Sequence, residues 1–233
     1  MGSNRLPGKP LELIAGTPLI VWVLRNAQQS GAFDEVGVAT DDERVARVVE
    51  QAGGRAVMTD ASHASGTDRV LEAASSFSGT HIVNIQGDEP RIPRSLLREF
   101  AATLKQMDDN SLLTIVSHAT IEDTSDPNTV KAVLGKENQA LYFSRSAIPY
   151  KREGVAVYYK HCGIYGFTNE SLRRFCSFPQ GNLERVERLE QLRALENGMT
   201  IRCLEYDFES IGIDTSEDLE RFRQWAAGNG YGR

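Results

Sequence analysis

The sequence predicts an α/β fold, a doubly wound and mostly parallel sheet with a small antiparallel region. Three observations predict it. Apolar runs at 35–39, 55–58 and 81–85 each end in a polar turn and read as buried strands. Helical spacing fills the intervals, at 17–30, 42–51, 67–76 and 93–107, with Gly31, Gly53 and Gly79 as stops. Beyond residue 110 the pattern changes: 111–119, 130–134, 140–143 and 158–167 are strand-like without long helices between them, so antiparallel pairing follows there.

The first element is a loop, Gly2-Ser3-Asn4-Arg5-Leu6-Pro7-Gly8-Lys9-Pro10. Glycines let the backbone approach phosphate oxygens, and Arg5 and Lys9 supply charge that neutralises them. It lacks the Gly-Lys-Ser/Thr ending of a P-loop and the spacing of a dinucleotide fingerprint. Phosphate loops of open parallel sheets hang from the carboxyl end of a buried strand, so a strand is expected ahead of Met1. Further on, His63-Ala64-Ser65-Gly66-Thr67-Asp68-Arg69 opens the third helix, where N–H groups and small side chains suit a base, ribose or phosphate. A plain N-cap is the competing reading. In Gln86-Gly87-Asp88-Glu89-Pro90 the proline blocks helix continuation and presents Asp88 at a strand end. An isolated Asp there is a turn residue, but a basic glycine loop together with a strand-end carboxylate reads as a nucleoside triphosphate site with Mg²⁺.

In the second half, Arg145 of Tyr142-Phe143-Ser144-Arg145 has the fork that clamps a carboxylate, against the commoner role of a surface ion pair. A strand over Lys160-His161-Cys162-Gly163-Ile164-Tyr165 puts His161, Gly163 and Tyr165 on one face and Cys162 and Ile164 on the other. Gly163 leaves a slot between the His and Tyr for a small polar ligand; an ordinary half-exposed His–Tyr pair is the bland alternative. Leu183, Val186, Leu189, Leu192 and Leu195 predict one helix over 183–196. Glu190 falls on its apolar arc and needs a partner, Arg193 or another arginine, or ligand hydroxyls; Glu184 and Arg188 are spaced as a solvated pair. A last strand-to-helix unit runs from 200 to 225. Thr215 and Asp218 form a capping-box pattern before its helix, which releases Asp214 to join Asp88 as a second oxygen ligand. Residues 228–233 read as a frayed tail.

The chain has 233 residues, ample for one domain spanning 1–233, and no internal repeat. Its net charge of −6 argues against a nucleic-acid partner without excluding a locally basic nucleotide site. Three cysteines without metal spacing, Cys162, Cys176 and Cys203, fit buried inert thiols in a reducing compartment. No apolar run approaches the ~18 residues of a membrane helix and no signal peptide is visible, so a cytoplasmic protein without membrane insertion is expected.

Taken in order, seven motifs resemble the 3-deoxy-manno-octulosonate (Kdo) cytidylyltransferase family. They are Arg-Leu-Pro-Gly-Lys-Pro (5–10), Ser-Gly-Thr-Asp-Arg (65–69), Asn-Ile-Gln-Gly-Asp-Glu-Pro (84–90), Tyr-Phe-Ser-Arg (142–145), His-Cys-Gly-Ile-Tyr-Gly (161–166), Leu-Glu-Gln-Leu-Arg (189–193) and Ile-Asp-Thr-Ser-Glu-Asp-Leu (213–219). The resemblance implies a sheet of the nucleotide-diphospho-sugar transferase type, whose antiparallel region serves sugar binding and dimerisation. It implies that Ser3, Arg5 and Lys9 hold the phosphates of CTP, that His63, Ser65, Arg69 and Gln86 lie near cytidine, and that Asp88 and Asp214 bind Mg²⁺. It assigns Arg145, His161, Tyr165, Glu190 and Gln191 to the sugar acid, with Arg5, Lys9, Asp88 and Asp214 as the catalytic set. The implied reaction is attack of the anomeric hydroxyl of Kdo on the α-phosphorus of CTP, giving CMP-Kdo and pyrophosphate for lipopolysaccharide biosynthesis, in a homodimer. The family's first strand and its Ile-Pro-Ala-Arg ending have no counterpart after Met1. Competing readings are the same chemistry on 8-amino-Kdo or another sugar acid, a non-catalytic partner of a complete enzyme, and a dinucleotide-binding domain. The last is disfavoured because no Gly-x-Gly-x-x-Gly follows a strand.

Overall fold

The computed structural model describes residues 6–63, 65–208 and 212–229. A 3-10 turn at Lys9–Leu11 is followed by β1 (Leu13–Ile14), β2 (Thr17–Pro18), α1 (Leu19–Ser30), β3 (Gly37–Thr40), α2 (Glu43–Gln51), β4 (Arg55–Met58) and α3 (Gly66–Ala74). Next come β5 (His81–Asn84), α4 (Arg94–Leu104), β6 (Ser111–His118), α5 (Ile121–Ser125), β7 (Lys131–Leu134), β8 (Ala140–Ser144) and β9 (Tyr159–Thr168). The chain continues through α6 (Asn169–Ser177), α7 (Asn182–Glu187), α8 (Leu192–Glu196), β10 (Thr200–Glu205) and α9 (Ser216–Gly228). It divides into two compact units, Met1–Gly79 with Ile85–Glu99 and Glu209–Arg233, and Thr80–Asn84 with Phe100–Phe208.

In the first unit β3 and β4 pair in parallel, Gly37 opposite Arg55 through Thr40 opposite Met58. Between them runs α2, capped by Asp42, whose carboxylate accepts the Arg44 N–H at 2.8 Å. Val45 and Val49 of α2 pack on Ile20, Val21 and Leu24 of α1. The helix α1 stops where Gly31 takes the left-handed conformation, φ 66°. A second apolar cluster joins Ile14 and Leu19 to Ile213, Leu219, Phe222 and Ala226, and so fixes α9 to the start of the chain. Each large side chain fully buried there contributes about 1.5–3 kcal/mol.

In the second unit a six-stranded sheet has the order β10-β6-β9-β7-β8, with β5 also on β9. The ten-residue β9 is its centre: β6 lines one edge, while β7 and β5 follow each other along the other. Only β10 and β6 are parallel among these pairings; the rest are antiparallel. Gly166 of β9 is dictated by packing, since a Cβ there would stand 2.8 Å from the Phe100 ring of α4.

The α/β class holds, and the pieces differ in detail from expectation. The segment 81–84 pairs antiparallel with β9 instead of continuing the parallel series of β3 and β4, because an apolar run says strand without naming neighbour or direction. Val38, Ala39, Ala56 and Val57 are half-buried, not buried. Helix α3 ends at Ala74 with Ser75 as its C-cap, ahead of Gly79. The single helix expected over 183–196 is two short ones, interrupted where Arg188 turns left-handed at φ 53°. Apolar residues three apart advance 60° per step around a helix, so these five cannot share one face, and Val186 is 74% exposed. Thr120 caps an unexpected helix, α5, through a capping box with Asp123. The helix α9 reaches Gly228, and 230–233 lie outside the described residues. Cys162 and Cys203 are buried and Cys176 is half-buried, all as free thiols; burial pushes the Cys203 thiol up to about 12. Among the described residues no helix is long and apolar enough to cross a membrane.

Candidate active site

Three charged groups of the first unit meet at one point. Lys9 begins the 3-10 turn, behind Gly8, whose φ of 76° a side chain would resist. The turn carries the Lys9 ammonium to 2.6 Å from Asp88 Oδ2 and 3.2 Å from Asp214 Oδ1. A bond from the Ile213 N–H to the Asp88 carbonyl, 3.0 Å, holds the 86–90 turn beside the segment bearing Asp214. Thr215, not Asp214, is the N-cap of α9, in a reciprocal capping box with Asp218. The Lys9 side chain is 11% exposed and the carboxylates 29% and 47%. Burial works against the ammonium, yet the Asp88 and then the Asp214 carboxylate outweigh it and hold the Lys9 pKa above the ordinary lysine value.

Two carboxylates converging on one cation, both still partly open to water, fit the donor set of Mg²⁺. That ion takes one or two protein carboxylates and completes its shell with waters and phosphate oxygens. Among the described residues no group of three or more His, Cys, Asp or Glu side chains could hold a metal unaided, so further ligands would be water or substrate. Ser3 and Arg5 lie outside the described residues.

The expected cytidine residues surround the start of α3. Ser65 is its N-cap, accepting the Asp68 N–H at 3.1 Å. Arg69 reaches Thr59 Oγ1 at 2.6 Å, the Asp60 carbonyl at 3.3 Å and Asp41 Oδ2 at 3.0 Å, which pins the ends of β3 and β4 to α3. His63 is hydrogen-bonded to Glu72 of α3. Gln86 is half-buried at the start of the Asp88 turn, where its carbonyl accepts the Glu89 N–H.

The expected sugar residues lie in the second unit. His161 and Tyr165 stand side by side on β9, ring centroids 5.6 Å apart, and the Tyr165 hydroxyl donates to Gln191 Oε1 at 3.0 Å. Gln191 Nε2 is 3.5 Å from His161 Nδ1. Burial pushes the His161 pKa down to about 3, so its ring is neutral. Burial, followed by the Glu190 charge, pushes the Tyr165 hydroxyl well above its usual value. Arg193 forms a bidentate pair with Glu184 at 2.7 and 2.8 Å, both side chains 4% exposed. Glu184 therefore faces inward instead of joining Arg188 in solvent. Arg145 is a brace, donating to the carbonyls of Glu187 at 3.0 Å and Pro127 at 3.1 Å, and a substrate carboxylate would share it with them.

Sequence reasoning missed Thr114 and Phe143. Thr114, fully buried in β6, contacts His161 Nε2 at 2.8 Å, and the Phe143 ring meets the His161 ring edge-on at 5.0 Å. The available signal was a hydroxyl in the middle of the apolar run Leu112-Leu113-Thr114-Ile115-Val116.

A family described as Cytidylyltransferase matches residues 1–201. The 3-deoxy-manno-octulosonate cytidylyltransferase of Thermodesulfovibrio yellowstonii is 43% identical, over 94% of this chain and 92% of its own length. Its namesake from Acidobacterium capsulatum is 44% identical, over 96% and 92%. A solved structure of CMP:2-keto-3-deoxy-manno-octonic acid synthetase complexed with CTP superposes with a TM-score of 0.92, at 39% identity over 98% of this chain and 95% of that one. A nucleotidyl transferase from Methanothermobacter thermautotroptrophicus, at 16% identity and a TM-score of 0.63 over 95% and 86% of the two chains, shares the fold. With identity at this level along nearly its whole length, the chain belongs to the 3-deoxy-manno-octulosonate cytidylyltransferases, a family of nucleotidyltransferase enzymes.

Proposed function

We propose that this chain couples CTP to Kdo, releasing pyrophosphate and forming CMP-Kdo for lipopolysaccharide biosynthesis. The observation that carries the reading is the Lys9 ammonium set between Asp88 and Asp214, which lie 79 and 205 residues further along the chain. An ammonium and two carboxylates brought together from distant segments, the carboxylates still partly open to water, support a site for a charged ligand. Lys9, with Ser3 and Arg5, would hold the triphosphate and offset its negative charge. His63, Ser65, Arg69 and Gln86 would lie beside cytidine, and Arg145, His161, Tyr165, Glu190 and Gln191 would hold the sugar acid. Asp88 and Asp214 would hold Mg²⁺, which when bound neutralises phosphate charge and makes the sugar hydroxyl more acidic. Catalysis is positioning and charge neutralisation, with no covalent enzyme intermediate: the anomeric oxygen bonds to the α-phosphorus as the bond to pyrophosphate breaks. Both units serve one nucleotidyltransferase domain in this reading. A cytoplasmic homodimer is part of the proposal, supported by exposed apolar side chains of the second unit, Leu141, Tyr150 and Val155 among them.

A coupled pyrophosphate-release assay tests it. With Mg²⁺ and Kdo, CTP should give pyrophosphate and CMP-Kdo one to one, while ATP, GTP and UTP give little. Equal release from another triphosphate, or release from CTP without any sugar acid, would contradict the assignment.

A further inference from the structure

The strands β6 and β9 are out of step at one place. Leu113 lies opposite Gly166, but Ile115 lies opposite Cys162, so β9 carries two extra residues across from Thr114. A bulge of this kind turns side chains out of the regular alternation and leaves carbonyls without ladder partners. The Thr114 hydroxyl fills that gap, 2.8 Å from the Ile164 carbonyl and 3.3 Å from the Cys162 carbonyl. The same oxygen is 2.8 Å from His161 Nε2.

A hydroxyl has one proton, and a carbonyl has none to give. At 2.8 Å from the Ile164 oxygen the Thr114 proton must lie on that contact, since two oxygens with no hydrogen between them would repel. The contact with His161 then runs the other way, with the Nε2–H donating to Thr114. In a neutral ring that leaves Nδ1 with a lone pair. The far side agrees: Tyr165 O–H donates to Gln191 Oε1 at 3.0 Å, which turns the Gln191 NH₂ toward Nδ1. That last contact is 3.5 Å long, the weakest link, so the Nδ1 lone pair is only loosely used. The ring cannot rotate away, being flanked by Phe143 at 5.0 Å and Tyr165 at 5.6 Å. Its low pKa of about 3 keeps it neutral at any physiological pH.

We propose that Thr114 is a positioning residue that locks His161 as the Nε2–H tautomer, so that Nδ1 acts only as an acceptor and selects a hydroxyl of the sugar acid over its carboxylate. The first half concerns this chain alone; the second rests on the assignment of His161 to the sugar. A carboxylate brings lone pairs and would meet a lone pair at Nδ1, whereas a hydroxyl brings the proton that Nδ1 lacks. Thr114 exerts this control from a fully buried position.

The test has two arms that fail separately. In ¹⁵N NMR of the histidine-labelled chain, with the His161 signals identified by their loss in His161→Gln, Nε2 should be protonated and Nδ1 bare from pH 5 to 8. Thr114→Ser should keep that pattern, and Thr114→Val should lose it, giving mixed tautomers or a ring that titrates. Wild-type Nδ1 protonation, or an unchanged tautomer in Thr114→Val, overturns the lock whether or not the chain turns over CTP. In steady-state kinetics Thr114→Val should raise KM for the sugar acid by about 3- to 10-fold, the scale of one neutral hydrogen bond. KM for CTP should stay put, and Thr114→Ser should restore the sugar KM. Unchanged sugar KM in a Thr114→Val protein whose tautomer has been lost would overturn the selectivity and leave the lock standing. If Thr114→Val does not fold, the wild-type and Thr114→Ser spectra still decide the tautomer.

Discussion

Lys9 shows how much a single residue can carry. A lysine only 11% exposed is stable as a cation because two carboxylates face it, and the proposed function assigns the same three groups to a metal–triphosphate complex. Its raised pKa means that its stabilisation is present below the ordinary lysine value and is lost as pH climbs through the folded one. His161 acts in the opposite sense. The folded protein keeps it neutral down to about pH 3, whereas the unfolded chain binds its proton near 6.5. The unfolded state therefore binds more protons across that window, and stability falls as pH drops from about 6.5 toward 3. Urea titrations at pH 7 and pH 5 should show a smaller loss of stability for His161→Gln than for wild type; an equal loss would mean that the ring is not held neutral. Asp88 and Asp214 were legible from sequence because a strand-end Asp before Pro90 and an Asp beside a ready-made capping box are both recognisable. Thr114 was not, because its importance comes from a bulge on the opposite strand.

Among the elements, helix starts were readable in part: Ser65 and Thr215 cap where their sequence chemistry allows, whereas the equally complete capping box of Thr120 with Asp123 went unread. Strand positions were also readable, but strand partners were not. Residues 81–84 look the same whether their neighbour runs parallel or antiparallel, and β9, distant in sequence, decides the matter. The helix read over 183–196 failed for a local reason, the left-handed turn at Arg188, and a non-local one, the buried pair that ties α7 to α8. Glu184 and Arg193 also set the turn bearing Glu190 and Gln191, so their loss should reach the expected sugar site. Glu184→Ala removes the bidentate acceptor of a guanidinium whose side chain is 4% exposed and should cost about 3–5 kcal/mol in urea unfolding. Replacing both residues with Leu and Met should cost clearly less; equal losses would show that packing, not charge pairing, holds these helices.

At the scale of the molecule the expected residues divide by unit. Lys9, Asp88 and Asp214, with His63, Ser65, Arg69 and Gln86, belong to the first, and Arg145, His161, Tyr165, Glu190 and Gln191 to the second. Each unit has its own apolar packing, α1 with α2 and α9 in one and the β9-centred sheet in the other. Composition and periodicity gave the α/β class; the ordered motifs gave the family, which identity along nearly the whole chain bears out. Neither reaches the division into units, which depends on contacts between segments distant in sequence. The claim on which the rest stands is that Asp88 serves the reaction. Asp88→Asn keeps the side chain's size and removes its charge. CMP-Kdo formation with saturating Mg²⁺ should fall about 100-fold or more in kcat, with circular dichroism close to wild type and a Tm lowered by the loss of one Lys9 partner but still well above the assay temperature. Near-normal turnover by the folded Asp88→Asn protein would contradict it.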